Sequence, residues 1–149
     1  MAGQPITAEQ REQCVEATAG RLHDAWRELR RLPDGGYEPR LKSDGFGGQV
    51  DIANTDFAHL PAKWQAENRA AAVAVVDLIL SGPDTDDEDL AAAVHDDWLS
   101  RNAEWAPPEQ SVPFAELGAQ DQEKDRAVVA TARDVIAGIV CQPDEGVAL

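Results

Sequence analysis

Two stretches, "RLHDAWREL" at 21–29 and "AVHDDWLSR" at 93–101, decide how this chain is read. The 149 residues contain three histidines and four tryptophans, and two of each are used to write His-Asp-x-Trp twice. Within a helix His23 and Trp26 stand at i, i+3 and share a face, as do His95 and Trp98. Working outward, "FAHLPAKWQAENRAAAVAVVDLI" at 57–79 aligns without gaps on "FAELGAQDQEKDRAVVATARDVI" at 114–136. Phe57 pairs with Phe114, Leu60 with Leu117, Gln65 with Gln122, Arg69 with Arg126, Asp77 with Asp134 and Ile79 with Ile136. Two matched motifs in the same order describe a structural unit present twice, with the first connection fifteen residues longer.

Periodicity fills in the unit. A first helix starts near Thr7, which has capping-box spacing to Gln10. Its stripe Val15, Ala19, Leu22, Trp26 and Leu29 runs to Pro33 and "DGG". A second begins at Pro61, suited to a first helical position, and ends at Ser81-Gly82-Pro83. From Ala70 onward it is apolar on nearly every side, so it is expected to be the central and most buried helix. A third opens on "TDDED" at 85–89, with Thr85 and Glu88 as a second capping box and Leu90, Val94 and Trp98 on its inner face. A fourth covers about 119–140 through Val128, Ala132, Val135 and Ile139. Turn residues at 34–36 and 43–45 flank short runs that pair as a hairpin, with "QVDIA" the better strand. "AEWAPPEQSVPF" is proline-rich and holds at most a brief extended segment. The expected fold is therefore mainly α with short β segments. Two tandem repeats, 12–81 and 85–141, make up one domain 1–149, with flexible ends at 1–6 and 142–149.

This order of motifs resembles the ryanodine-receptor-type repeat (RyR domain) family, known as modules of calcium-release channels and as small bacterial proteins. "VHDDW", "EWAPP", "VPFAEL" and "EKDR" carry the resemblance in the second half, and "LHDAW", "GGYEP", "DFAHL" and "AENR" more loosely in the first. It spans about 22–136. Glu104 stands where a glycine is usual, and Asp56 where the second half has Pro113. The resemblance implies a compact unit of two repeats packed about a pseudo-two-fold axis, not an enzyme, with nucleotide or other small-ligand sensing in bacterial members. Tyr37 and Trp105 fill the family's second aromatic position.

Composition narrows the partners. A formal net charge of −15 repels phosphate backbones and anionic membrane surfaces, so neither nucleic acid nor membrane is expected. Its plain explanation is solubility. Cys14 and Cys141 lie in no C-x-x-C spacing, and a disulfide between them stays open. "MAGQPITAEQREQ" has no apolar signal core, and "AAAVAVVDLIL" is too short to span a bilayer, which makes a cytoplasmic location the expectation.

The functional expectation is a non-catalytic module, monomeric or homodimeric, with no metal and no cofactor. A flat ligand, a nucleotide or nucleotide-derived signal, would stack between Trp26 and Trp98. His23, His95, Tyr37 and Trp105 would complete the lining, and Arg69 and Arg126 would meet a phosphate. The plainer alternative makes the tryptophans core, the histidines donors to carbonyls, and the arginines ion-paired scaffold. A protein–protein interaction module follows from that alternative. A metal-dependent His-Asp phosphohydrolase would need the doublets to converge on one ion, and repeat symmetry already accounts for them. An all-α pyrophosphatase built on carboxylate pairs such as Asp86 with Asp89 is less economical than helix capping. Nucleophilic catalysis lacks any Gly-x-Ser-x-Gly or phosphate-cradling loop, "GFGG" at 45–48 being a turn between strands.

Overall fold

The computed structural model describes residues 6–140. Four helices carry it: α1 Ala8–Glu28, α2 Ala62–Ser81, α3 Asp87–Asn102 and α4 Ala119–Val140. A two-stranded hairpin, β1 Leu41–Ser43 and β2 Gln49–Asp51, sits between α1 and α2. Single 3₁₀ turns at Phe57–His59, Pro108–Gln110 and Phe114–Glu116 fill the connections. The architecture is mainly α with short β segments, as the sequence predicts. The ends expected to be flexible fall outside the described residues, Ile6 excepted, and so does Cys141. Cys14 is a free thiol buried in the core.

The helices begin and end for local reasons. Thr7 Oγ1 accepts the Gln10 amide at 3.0 Å while Gln10 Oε1 accepts the Thr7 amide at 2.9 Å, closing the expected capping box. The second expected box does not form. Asp86, not Thr85, is the cap of α3 and accepts the Glu88 amide at 3.2 Å. Glu88 is thereby free to reach Arg126 on α4, a stronger charge-assisted partner than a backbone amide. Pro61 is the cap of α2 rather than its first residue. The α2–α3 turn is tight at Gly82, where a Cβ would fall 2.3 Å from Thr85 Oγ1 and force that side chain to move.

Each half is a helix, a connection and a returning helix, and the packing obeys the repeat. α1 packs on α2 as α3 packs on α4, α1 crosses α4 as α3 crosses α2, and α2 and α4 meet each other. This pattern is unchanged when the halves are exchanged, which is the signature of an axis running between α2 and α4. Both returning helices are therefore central. The expectation that α2 alone would be the innermost helix is corrected, because duplication gives α4 the same role. One core cluster joins Val75 and Ile79 to Leu90, Val94, Phe114, Leu117 and Val129. The other joins Cys14, Val15 and Ala19 to Ala72, Val76 and Val135. Truncating a fully enclosed member such as Leu90 to alanine would cost on the order of 2–5 kcal/mol.

The extra length of the first connection is the hairpin. β1 and β2 pair antiparallel with Leu41 opposite Asp51, Lys42 opposite Val50 and Ser43 opposite Gln49. Gly45 and Gly47 take φ values of 89° and 88°, a left-handed backbone that only glycine adopts at low cost. Asp44 Oδ1 accepts amides from Phe46 and Gly48 to hold the turn. The hairpin is then fastened to the helices. Trp64 Nε1 of α2 donates to the Ser43 carbonyl at 2.7 Å, and Arg30 beyond α1 donates to the carbonyls of Glu38 and Pro39.

Candidate functional site

The duplicated histidines do the same work in each half. His23 Nε2–H donates to the Thr55 carbonyl at 2.7 Å, and His95 Nε2–H donates to the Val112 carbonyl at 2.7 Å. A carbonyl can only accept, so the bond fixes the proton on Nε2. Both acceptors lie two residues before the paired Phe57 and Phe114. Each imidazole, buried to 3% exposure, thus straps the connection onto the first helix of its own repeat. Each then stacks on the indole one turn along: His23 on Trp26 with ring centres 5.8 Å apart, and His95 on Trp98 at 6.1 Å.

The arginines are equally symmetric. Arg69 reaches Glu16 by two hydrogen bonds of 2.5 and 2.9 Å, and Arg126 reaches Glu88 at 2.7 and 2.9 Å. Glu16 and Glu88 stand seven residues before their respective histidines. Each guanidinium also lies over its own repeat's phenylalanine, Arg69 over Phe57 at 5.5 Å and Arg126 over Phe114 at 5.7 Å. The hydrogen bonds from Arg69 and Arg126 hold both glutamate carboxyls below their ordinary range. Gln65 and Gln122 complete the parallel by donating to the carbonyls of Phe57 and Phe114. These residues tie helix to helix, and neither arginine lines either of the two tryptophan-lined cavities.

The tryptophans differ: all four of them line two adjoining cavities. The first, of about 650 Å³, is bounded by Trp26, Trp64 and Trp105, with His23, Leu60, Arg30, Arg40, Lys42, Glu67, Asn68 and Asn102. The second, of about 430 Å³, is bounded by Trp26, Trp98 and Trp105, with His95, Leu117, Gln110, Asp121, Lys124 and Asp125. Trp26 and Trp105 are walls of both. The cavities are equivalents under the internal axis: His23 corresponds to His95, Leu60 to Leu117, Trp64 to Asp121, Glu67 to Lys124 and Asn68 to Asp125. Trp26 and Trp98 do share one cavity, but Trp105 stands edge-on to Trp98 at 5.7 Å and forms a wall with it. Tyr37 lies outside both cavities. Its ring is covered by Arg27 at 4.5 Å and Arg31 at 4.8 Å, and its hydroxyl accepts from Arg31.

Charge separates the two cavities. Of the thirteen lysines and arginines, ten stand within 4 Å of a carboxylate oxygen. The remaining three are Arg40, Lys42 and Lys63. Arg40 and Lys42 line the first cavity, and both Lys42 and Lys63 have their ammonium groups over the Trp64 ring, at 5.8 and 5.2 Å. The second cavity carries Asp121, ion-paired with Lys124 at 3.5 Å, and Asp125. Burial pushes the Asp125 carboxyl up to about 6, against the attraction of the His95 imidazole 3.6 Å away.

Trp64, Arg30, Arg40, Lys42, Asn102, Asp121 and Asp125 are site residues that sequence reasoning missed. One signal was available. Trp64, Glu67 and Asn68 lie at i, i+3, i+4, opposite Asp121, Lys124 and Asp125 in the gapless alignment, so one helical face differs in kind between the repeats.

The third histidine, His59, is exposed and held by Asp56. Nε2 of His23 and Nε2 of His95 are each taken up by a backbone carbonyl. Among the described residues no group of three or more histidine, cysteine, aspartate or glutamate side chains is disposed to hold a metal ion, and no helix is long and apolar enough to cross a membrane. No protein-family model matches the chain, and neither a curated protein nor a solved structure resembles it.

Proposed function

We propose that this chain is a non-catalytic binding module for a small, flat, anionic ligand of nucleotide type, taken into the first cavity. The single observation that carries the reading is electrostatic. In a chain of net charge −15, the three cations without an ion pair among the described residues gather at one tryptophan-lined cavity. Unpaired cations beside indole rings suit a ring that stacks and a phosphate that is neutralised. The hairpin that delivers Arg40 and Lys42 has no counterpart in the second half. The anion site therefore belongs to the first repeat, and the Trp26–Trp98 face becomes its neighbour. The motif order shared with RyR domains supports a binding role of this kind.

The test is titration with AMP, ADP, ATP, GTP and tripolyphosphate, followed by tryptophan fluorescence and thermal shift. A ring-bearing phosphate is expected to bind, with Trp64→Ala and Arg40→Glu each weakening it by about tenfold or more. Binding should also weaken with added salt. No response to any of the panel, or tripolyphosphate binding as tightly as the nucleotides, removes the reading. A second reading, docking to another protein, is favoured by Phe46, which is 92% exposed at the hairpin tip.

A further inference from the structure

Exchange of the two halves superposes cavities of opposite character, and the second has chemistry of its own. Trp98 and Trp105 meet at an interplanar angle of 78°, so their faces form two walls of a corner. Trp26 supplies a third wall, its ring already carrying the stacked His23 imidazole and the Arg30 guanidinium at 5.2 Å. Three indoles around a space of about 430 Å³ leave room for a group the size of a trimethylammonium or a pyridinium ring. Two carboxylates face the same space. Asp121 is answered by Lys124, whose side chain is largely exposed. Asp125 is met only by His95: its side chain is 15% exposed, it makes no hydrogen bond among the described residues, and Nδ1 of the His95 ring, whose Nε2–H is taken by the Val112 carbonyl, stands 3.6 Å away. In the first repeat the same position is Asn68, whose amide donates to the Trp64 carbonyl. A scaffold role would be met by that neutral residue, so packing alone does not call for the carboxylate at 125.

We infer that the second cavity is a binding site for an organic cation, a quaternary ammonium or N-alkylpyridinium group, held in the corner between Trp98 and Trp105, bounded by Trp26 and countered by Asp125. Indole faces attract a diffuse cation that cannot be fully hydrated, and a desolvated carboxylate at the edge of the cage adds direct attraction. A hard ammonium such as free lysine is a poorer fit, since it would surrender hydration for faces that return few hydrogen bonds. The site stands apart from the anion site proposed above: its carboxylates come from α4, and the hairpin contributes nothing to it.

The experiment is ¹H–¹⁵N NMR of the four indole N–H resonances during titration with choline chloride, with sodium chloride at matched ionic strength as control. The uncharged isostere 3,3-dimethylbutan-1-ol is titrated in parallel. Saturable shifts are expected for Trp26, Trp98 and Trp105. Trp64, whose indole N–H is tied to Ser43, should stay still. Choline should bind about tenfold tighter than the isostere. Asp125→Asn, which introduces the residue the first repeat already carries, should weaken choline severalfold while leaving isostere binding unchanged. Arg40→Glu should leave choline binding intact even if it abolishes nucleotide binding, so the two proposals fail separately. Equal affinity for choline and the isostere would mean an apolar crevice and overturn the inference. Absence of a saturable choline shift, or shifts centred on Trp64, would overturn it as well.

Discussion

Asp125→Asn should make the protein more stable, and the size and pH dependence of the gain follow from its surroundings. The carboxyl titrates at about 6 in the fold, against 3.8 for an ordinary aspartate, chiefly because burial penalises its charge. That displacement corresponds to about 3 kcal/mol. The sign is fixed by linkage. A carboxyl whose folded value is raised binds protons more readily folded than unfolded, so its contribution is fully present below about 4 and lost as pH rises through about 6. Asparagine carries no charge at any of these pH values and can donate to the carbonyl four residues earlier, as Asn68 does. Urea denaturation of the two proteins should therefore give nearly equal stabilities at pH 4. The curves should diverge between about pH 4 and 6.5 and stand roughly 2–3 kcal/mol apart, in the variant's favour, at pH 8. A variant that is less stable at pH 8, or a difference that does not change with pH, would refute the burial of this carboxyl. It would also remove the contrast between Asp125 and Asn68 on which the cation site rests.

The remaining predictions concern the symmetric scaffold. His23→Phe keeps a ring against Trp26 but leaves the Thr55 carbonyl without its donor, and should cost about 1–3 kcal/mol in chemical denaturation. A cost below about 0.5 kcal/mol would show that the strap is not structural. Arg126→Met removes an ion pair whose partners are both partly exposed and screened by solvent, so it should leave the urea midpoint nearly unchanged. It should leave nucleotide affinity unchanged in the fluorescence titration, and a tenfold loss there would return the arginine to the binding site.

Much of the fold is legible because it depends on short-range pattern. The His-x-x-Trp spacing, the Phe-x-x-Leu step and the Thr7–Gln10 cap are each set within one or two helical turns. The strapping role of His23 and His95 was likewise within reach as the plainer alternative, since a buried imidazole needs an acceptor. Other features depend on what lies across the molecule. Arg69 and Arg126 read as phosphate ligands until Glu16 and Glu88, on other helices, are seen to take both ends of each guanidinium. Glu88 illustrates the conflict directly, because its sequence spacing to Thr85 favours a capping box while the tertiary fold offers it an arginine. Tyr37 and Trp105 occupy the same position in the motif order yet part company, since Arg27 and Arg31 cover the tyrosine and nothing comparable covers the tryptophan. Trp64, Arg40 and Lys42 come together only because the hairpin folds back onto α2, and no local pattern announces that.

The fifteen extra residues that bring the hairpin into one half have a consequence for how such a protein can specialise. Were the molecule assembled from two identical shorter chains, every substitution would arise in duplicate, and both chambers would be obliged to keep the same polarity. Joining the copies in one polypeptide lifts that obligation. One chamber can gather Arg40 and Lys42 on an added loop while its twin gathers carboxylates, with Trp26 and Trp105 kept as the partition between them.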